Sequence, residues 1–273
     1  MVEMNRILEI IENMAPLNTQ ESWDNSGWQI RLGDGTAEKV LVALELNEAV
    51  VSEAIRQNIQ MIVCHHPLIF GGIKKVDNNM VIGNMIVALI RHGISVYATH
   101  TPFDKCAGGN NDYLAQLLNL ENVHEIPEDE SGICRMGCLK EALTVQEMLE
   151  HFSRCTGQDI RSYRLVGNPG HKVQTIGMCT GAGSEFMKLA ADAGCDLYVT
   201  GDVKYHEAQH ALELGLTVVD LGHYGSEQIF TENMAEILRD ALGSSAEILE
   251  SEVILNPFSI IDLRGIDDVK QET

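Results

Sequence analysis

The chain has 273 residues, with 40 Asp and Glu against 19 Lys and Arg, and a formal net charge of −21. That acidity argues against broad binding to nucleic acid or anionic membrane, since both need a basic footprint. With 45% hydrophobic and 22% charged residues, the composition is that of a folded protein, long enough for one large or two medium domains.

The N-terminal segment, MVEMNRILEIIENMAP, carries apolar residues at helical spacing and predicts an amphipathic helix over residues 3–14. It lacks the unbroken apolar run and cleavage site of a signal peptide. No stretch approaches about 18 consecutive apolar residues, so no membrane span is expected. Seven cysteines without a CxxC pattern fit reduced thiols in a cytoplasmic protein. Cys134 and Cys138 lack the second pair that a thiolate metal site requires.

Strands are predicted at Trp28–Leu32 and Lys39–Leu44, separated by the turn Gly33-Asp34-Gly35. A helix over Glu48–Asn58 precedes a buried strand, Met61–Cys64. A helix over Asn78–Arg91 stops at Gly93 and leads to a strand, Ile94–Ala98, then a helix, Asn111–Leu118. The polar, acidic stretch His124–Gly132 interrupts this rhythm.

The same order then returns. Thr144-Val-Gln-Glu147 has capping-box form and opens a helix to about Cys155. Strands follow at Ser162–Val166, Val173–Cys179, Asp196–Thr200 and Thr217–Leu221, with helices at Glu185–Ala193, His206–Leu214 and Phe230–Leu242. A last strand is expected around Glu252–Asn256. The alternation predicts an α/β fold with mixed, largely parallel sheets covered by helices. The two halves match element for element, which suggests internal duplication.

In such sheets ligands gather at the carboxyl ends of strands. Three of those ends are unusual: Cys64-His65-His66-Pro67, His100-Thr-Pro-Phe-Asp104 and His223-Tyr-Gly-Ser-Glu227. Four of the ten histidines therefore fall where an α/β site forms. In the last two segments a carboxylate follows the histidine by four residues, one helical turn, so each pair is expected to close on one ion. His65 and His66 would point to opposite sides if extended, which suits two neighbouring ions. Imidazole and carboxylate donors without thiolate favour Zn, Fe, Mn or Ni over Ca or an iron–sulfur cluster and do not choose among them.

These residues, with Trp23-Asp24-Asn25, Asp220-Leu-Gly-His223 and Thr200-Gly-Asp202-Val-Lys204-Tyr-His206, resemble the Nif-three-like dinuclear metal-centre family, whose members often carry the label GTP cyclohydrolase I type 2 homologue. The resemblance spans the whole chain. It implies two intertwined α/β repeats, here 1–126 and 127–273, with the metal site in the cleft between them, and a toroidal homohexamer. It implies two divalent ions held by His65, His66, Asp104, His223 and Glu227. Glu227 would bridge them, with His66 and Asp104 on one ion and His65 and His223 on the other. His100 would stand behind the ligands or carry protons. Glu45 departs from the family pattern, which usually has Asp there. A longer variant of the family inserts a domain between the halves, for which residues 124–143 leave no room.

Two ions about 3.5–4 Å apart make a bridging water acidic and polarise the bond under attack. The expectation is a metal-dependent hydrolase attacking a small polar substrate, in the manner of nucleotide ring opening of the GTP cyclohydrolase type. His100 and His206 are the candidate catalytic acid or base, although His206 reads equally as a packing or capping residue. Lys74, Lys75, Lys105 and Lys204 are candidate phosphate contacts. Thr180-Gly-Ala-Gly-Ser184 is an anion-binding turn or, more simply, a tight turn. The competing reading is a non-catalytic, oligomeric metal-binding or regulatory protein. An open coordination position beside an uncommitted acid or base separates the two readings.

Overall fold

The computed structural model describes residues 1–260. In chain order the strands and helices are β1 (Val2–Glu3), α1 (Met4–Met14), β2 (Gly27–Ile30), β3 (Thr36–Ala37), β4 (Lys39–Ala43), α2 (Glu48–Arg56), β5 (Met61–Cys64), α3 (Val81–Arg91), β6 (Ser95–Ala98), α4 (Thr101–Lys105) and α5 (Asn110–Leu117). There follow β7 (Leu120–Glu125), β8 (Arg135–Thr144), α6 (Val145–Thr156), β9 (Arg164–Val166), β10 (Lys172–Met178), α7 (Met187–Asp192), β11 (Leu197–Thr200), α8 (Tyr205–Leu214), β12 (Thr217–Asp220), α9 (His223–Glu227), α10 (Ile229–Leu242) and β13 (Glu247–Glu250).

Two sheets carry the fold, a five-stranded one in the order β13-β4-β5-β6-β2 and a six-stranded one in the order β7-β8-β10-β11-β12-β9. In each, three parallel strands end against an antiparallel edge strand: β4, β5 and β6 with β2, and β10, β11 and β12 with β9. Every residue of β5, β6, β11 and β12 is buried. Strands covered on both faces must be apolar on both, which is why they read as unbroken runs rather than alternations.

The helices covering these sheets are exchanged. One face of the first sheet packs against α1 through Ile7 and Ile11 and against α10 through Phe230, Met234 and Leu238. Its other face packs against α2 and α3. One face of the second sheet packs against α6 and against α5, through Leu114, Ala115 and Leu118. Thus α5 leaves the first sheet to cover the second, and α10 returns to cover the first. β13 completes the exchange by pairing parallel to β4. The two repeats are intertwined, and neither sheet keeps a complete core without the other's helix.

The structure differs from the sequence expectation at several elements. The acidic stretch at 124–132 supplies the end of β7 and most of the turn of a hairpin, β7 with β8, which lengthens the second sheet. Its apolar alternation is broken by a register shift between Glu121 and His124 and by charged residues on the exposed face. No strand forms at 252–256. The pairing segment is β13, and beyond it the chain leaves the ladder because the buried Glu53 carboxylate captures Ser251 Oγ (2.6 Å) and the Glu252 amide (3.0 Å). α3 begins three residues late because Asp77 accepts from the Asn79 and Met80 amides and holds a turn there.

The capping box at Thr144 is present. The Glu147 amide donates to Thr144 Oγ1 at 3.2 Å, and the Thr144 amide donates to Glu147 Oε2 at 2.8 Å. Thr144→Ala is expected to lower stability by about 1 kcal/mol, read as a shifted urea midpoint at unchanged slope. Among the described residues no helix is long and apolar enough to cross a membrane.

Candidate metal centre

Three parallel strands deliver the histidines. After β5 the His65 and His66 amides both donate to the Leu44 carbonyl, at 3.0 and 2.9 Å. Sharing one acceptor bends the chain, so the two rings lie 5.1 Å apart instead of on opposite sides of an extended strand. β6 ends at Ala98 and places His100 at the cap of α4. β12 ends at Asp220, and Gly222, with φ 78, turns the chain into α9. α4 carries Asp104 and α9 carries His223 and Glu227, so the two repeats contribute equivalent helical turns to one cleft.

The centre of the cluster is the buried Glu227 carboxylate. Its Oε2 lies 2.8 Å from His66 Nε2 and 3.0 Å from His223 Nε2, and its Oε1 lies 3.9 Å from His65 Nε2. His65 Nε2 is also 3.5 Å from Asp104 Oδ1. The donor atoms of His65, His66 and His100 lie within 4.8 Å of one another, as do those of His66, His223 and Glu227. His65 thus lies beside Asp104, and His66 and His223 share Glu227 Oε2. The two helical pairs differ. His223 and Glu227 close on each other, but His100 makes no ion pair with Asp104, because its ψ of −108 takes it out of the helical alignment.

Each imidazole is held from behind. His65 Nδ1 donates to the Thr99 carbonyl at 3.0 Å, His100 Nδ1 to Asp24 Oδ1 at 3.0 Å, and His223 Nδ1 to Asp202 Oδ2 at 2.8 Å. His66 Nδ1 faces Glu45 Oε2 at 3.4 Å, so the longer Glu45 side chain does reach the cleft. With Nδ1 bearing the proton, Nε2 is left to bind an ion. Asn110 donates to Asp104 Oδ1 at 3.2 Å while its own Oδ1, buried, has no protein partner. Fixed imidazoles, two buried carboxylates and an orphaned buried oxygen make a donor set that fits divalent ions.

The charges are strongly coupled. Burial opposes charge on His66, yet hydrogen bonds to Glu227 and Glu45 push its pKa up to about 10. The hydrogen bond to Glu227 pushes His223 up to about 9 against the cost of burial. Burial and the Glu227 charge push Asp104 up to about 7. Burial holds His65 well below the usual imidazole range despite the Glu227 charge. Burial would raise Asp24, but hydrogen bonds from His100, Thr101 and Ser26 hold it well below the carboxylate range.

The sequence profile of the Duf34/NIF3 (NGG1p interacting factor 3) family matches residues 2–257. The chain belongs to the DUF34/NIF3 family. A Clostridium perfringens protein named GTP cyclohydrolase 1 type 2 homolog is 31% identical over 264 residues, covering 95% of this chain and all of that one. A Streptococcus pneumoniae protein of the same name is 33% identical over 263 residues, covering 93% and 98%. A solved Staphylococcus aureus protein superposes with a TM-score of 0.87 at 26% identity, covering 95% and 99%.

Of the residues the sequence singles out for this NIF3 protein, His65, His66, His100, Asp104, His223 and Glu227 meet in one cleft. His206 does not join them. It is exposed on α8, edge-on to Tyr205, because the turn before α8 sends only Asp202 back to His223. Of the candidate phosphate lysines, Lys105 is held by Glu21 at 2.6 Å, while Lys75 and Lys204 lie exposed beside Asp77 and Glu207. The 180–184 turn is structural. Gly181 and Gly183 spend their amides on Ser226 Oγ and Thr200 Oγ1, both at 2.9 Å. Sequence reasoning assigned no role to Asp24, Thr99, Asn110 or Asp202. Asp24 and Asp202 lie inside motifs it did single out, and an acid beside a cluster of candidate imidazole ligands is the signal that finds them.

Proposed function

We propose that this NIF3 protein is a divalent-metal-dependent hydrolase with a dinuclear centre held by His65, His66, Asp104, His223 and Glu227. The observation that supports it is the Glu227 carboxylate, which faces His66 and His223 through one oxygen and His65 through the other. A carboxylate that offers separate oxygens to separate imidazoles suits the bridging role. Two divalent ions bound there would make a water nucleophilic and polarise the substrate bond. His100, oriented by Asp24, would move a proton between water and leaving group. The substrate class we favour is a nucleotide whose ring is opened by hydrolysis, in keeping with the names of the relatives. The protein would work in the cytoplasm, as a homohexamer by analogy with the family. His206 is left without a part in the reaction.

The test is elemental analysis of the freshly purified protein, followed by a hydrolysis screen with the metal found. His100→Ala is expected to keep its metal and lose about 100-fold or more in turnover. A metal-replete protein inert toward nucleotides, cyclic amides and phosphoesters would favour the non-catalytic metal-binding reading instead.

A further inference from the structure

Two large aromatic side chains stand in solvent at the mouth of the cleft. Trp23 is 55% exposed and Phe70 is 54% exposed. Their ring centroids are 5.9 Å apart, and both adjoin His100, at 5.7 Å for Trp23 and 6.2 Å for Phe70. The fold buries Phe103, Phe152, Phe230, Tyr97 and Tyr198 completely, and it leaves Tyr205 and Phe258 exposed, but those two have no ring contact with the cluster's His100 as Trp23 and Phe70 do. Leaving rings of this size in water forgoes the stabilisation their burial would give.

The loops that carry them are fastened together. Asn25 Nδ2 donates to the Ile69 carbonyl at 2.5 Å, the Ile69 amide donates to Gln29 Oε1 at 3.0 Å, and Gln29 Nε2 donates to the Asn25 carbonyl at 2.7 Å. Gln29 is buried, and all of its polar side-chain atoms are used in this bracket. Ile69, next to Phe70, and Asn25, two residues after Trp23, are thus tied to each other. Asp24, next to Trp23, also holds His100. The aromatic pair is fixed in advance relative to the cluster, which lowers the ordering cost of binding a ligand there. Gly71 and Gly72 follow Phe70, and a Cβ added at either would meet nothing within 4 Å.

We propose that Trp23 and Phe70 form a stacking platform for a planar heteroaromatic ring, of the kind a purine nucleoside carries, and hold that ring beside His100. The inference deepens the hydrolytic reading and rests on it for the ring's role as substrate. Stacking on aromatic side chains is tolerant of base identity because every base has a π face. The platform therefore selects for aromatic character, and the metal centre selects for the bond to be broken.

The test is calorimetric titration of the metal-loaded protein with guanosine, with adenosine, and with ribose 5-phosphate as the non-aromatic control. Both nucleosides are expected to bind more tightly than ribose 5-phosphate. Trp23→Leu and Phe70→Leu are each expected to weaken nucleoside binding about tenfold, at unchanged metal content and with no change toward ribose 5-phosphate. Trp23→Phe should restore most of the loss. Nucleoside affinity unmoved by both leucine variants would overturn the platform, as would equal binding of all three probes. Self-association that hides Trp23, seen as a concentration-dependent blue shift of its emission lost in Trp23→Leu, would assign these rings to a contact between copies and overturn it too. Nucleoside binding that responds to the variants in a protein without hydrolytic activity would keep the platform and discard the hydrolase.

Discussion

Glu227→Gln is expected to strip the centre of metal while leaving the fold intact. The amide has the shape of the carboxylate but not its charge, and only one of its two polar atoms can face an ion as a donor. Removing a residue that orients a ligand already weakens metal binding by about 10- to 100-fold. Removing the residue that faces three imidazoles should cost at least the upper end of that range. Proton competition supplies a second readout. Glu227 with Glu45 pushes His66 up to about 10, and Glu227 with Asp202 pushes His223 up to about 9, so near neutral pH both imidazoles carry protons that an incoming ion must displace. Metal affinity of the parent should therefore rise as pH rises toward that range, with protons released on binding. In Glu227→Gln the larger raising charge is gone and only Glu45 and Asp202 still favour the protonated rings, so both pKa values fall and the pH slope flattens. Weak binding in the variant then reports the missing ligand and not extra competition from protons. Elemental analysis, with a pH-indicator dye to count protons, decides it. Metal per chain equal to the parent's would remove Glu227 from the centre.

The parts of this centre that sequence reveals are those written in local runs. Strands buried on both faces, such as Met61–Cys64 and Thr217–Asp220, stand out because their middle residues are unbroken apolar runs, Ile62-Val63 and Val218-Val219. The histidines follow those runs, so their place at the strand ends is legible. The capping box at Thr144 is legible for the same reason. What stays hidden depends on contacts distant in sequence. The exchange of α5 and α10 leaves no local mark, because each helix presents the same apolar stripe whichever sheet it covers. The bend after Cys64 depends on Leu44, twenty residues earlier, offering one carbonyl to two amides. That bend decides which imidazole meets which carboxylate, so these contacts cannot be read from the alternation of His65 and His66. Asp24 and Asp202 are hidden by ordinariness, since one acid among 40 Asp and Glu means nothing until the fold sets it behind an imidazole.

Gly181→Ala tests whether the turn after β10 exists to make room for the Glu227 carboxylate. A Cβ on Gly181 would lie 2.2 Å from Glu227 Oε1, closer than real Cβ contacts, and a tight 3.2 Å from its Cδ. The backbone cannot yield easily. The Gly181 amide donates to Ser226 Oγ at 2.9 Å, and its carbonyl accepts from the Gly201 amide at 2.8 Å. Gly181 also has φ +67, where an alanine costs about 1–2 kcal/mol on its own. Gly194→Ala separates the two effects. Gly194 has φ +79 but open space around its would-be Cβ. It should lose only the backbone cost and keep its metal. Gly181→Ala should lose more stability than that, about 3 kcal/mol in total, and bind metal poorly because Glu227 is pushed out of line with His66 and His223. Urea unfolding and metal content on both variants give the comparison. Equal destabilisation with metal retained in each would mean that Gly181 serves the turn alone and that the carboxylate has room to move.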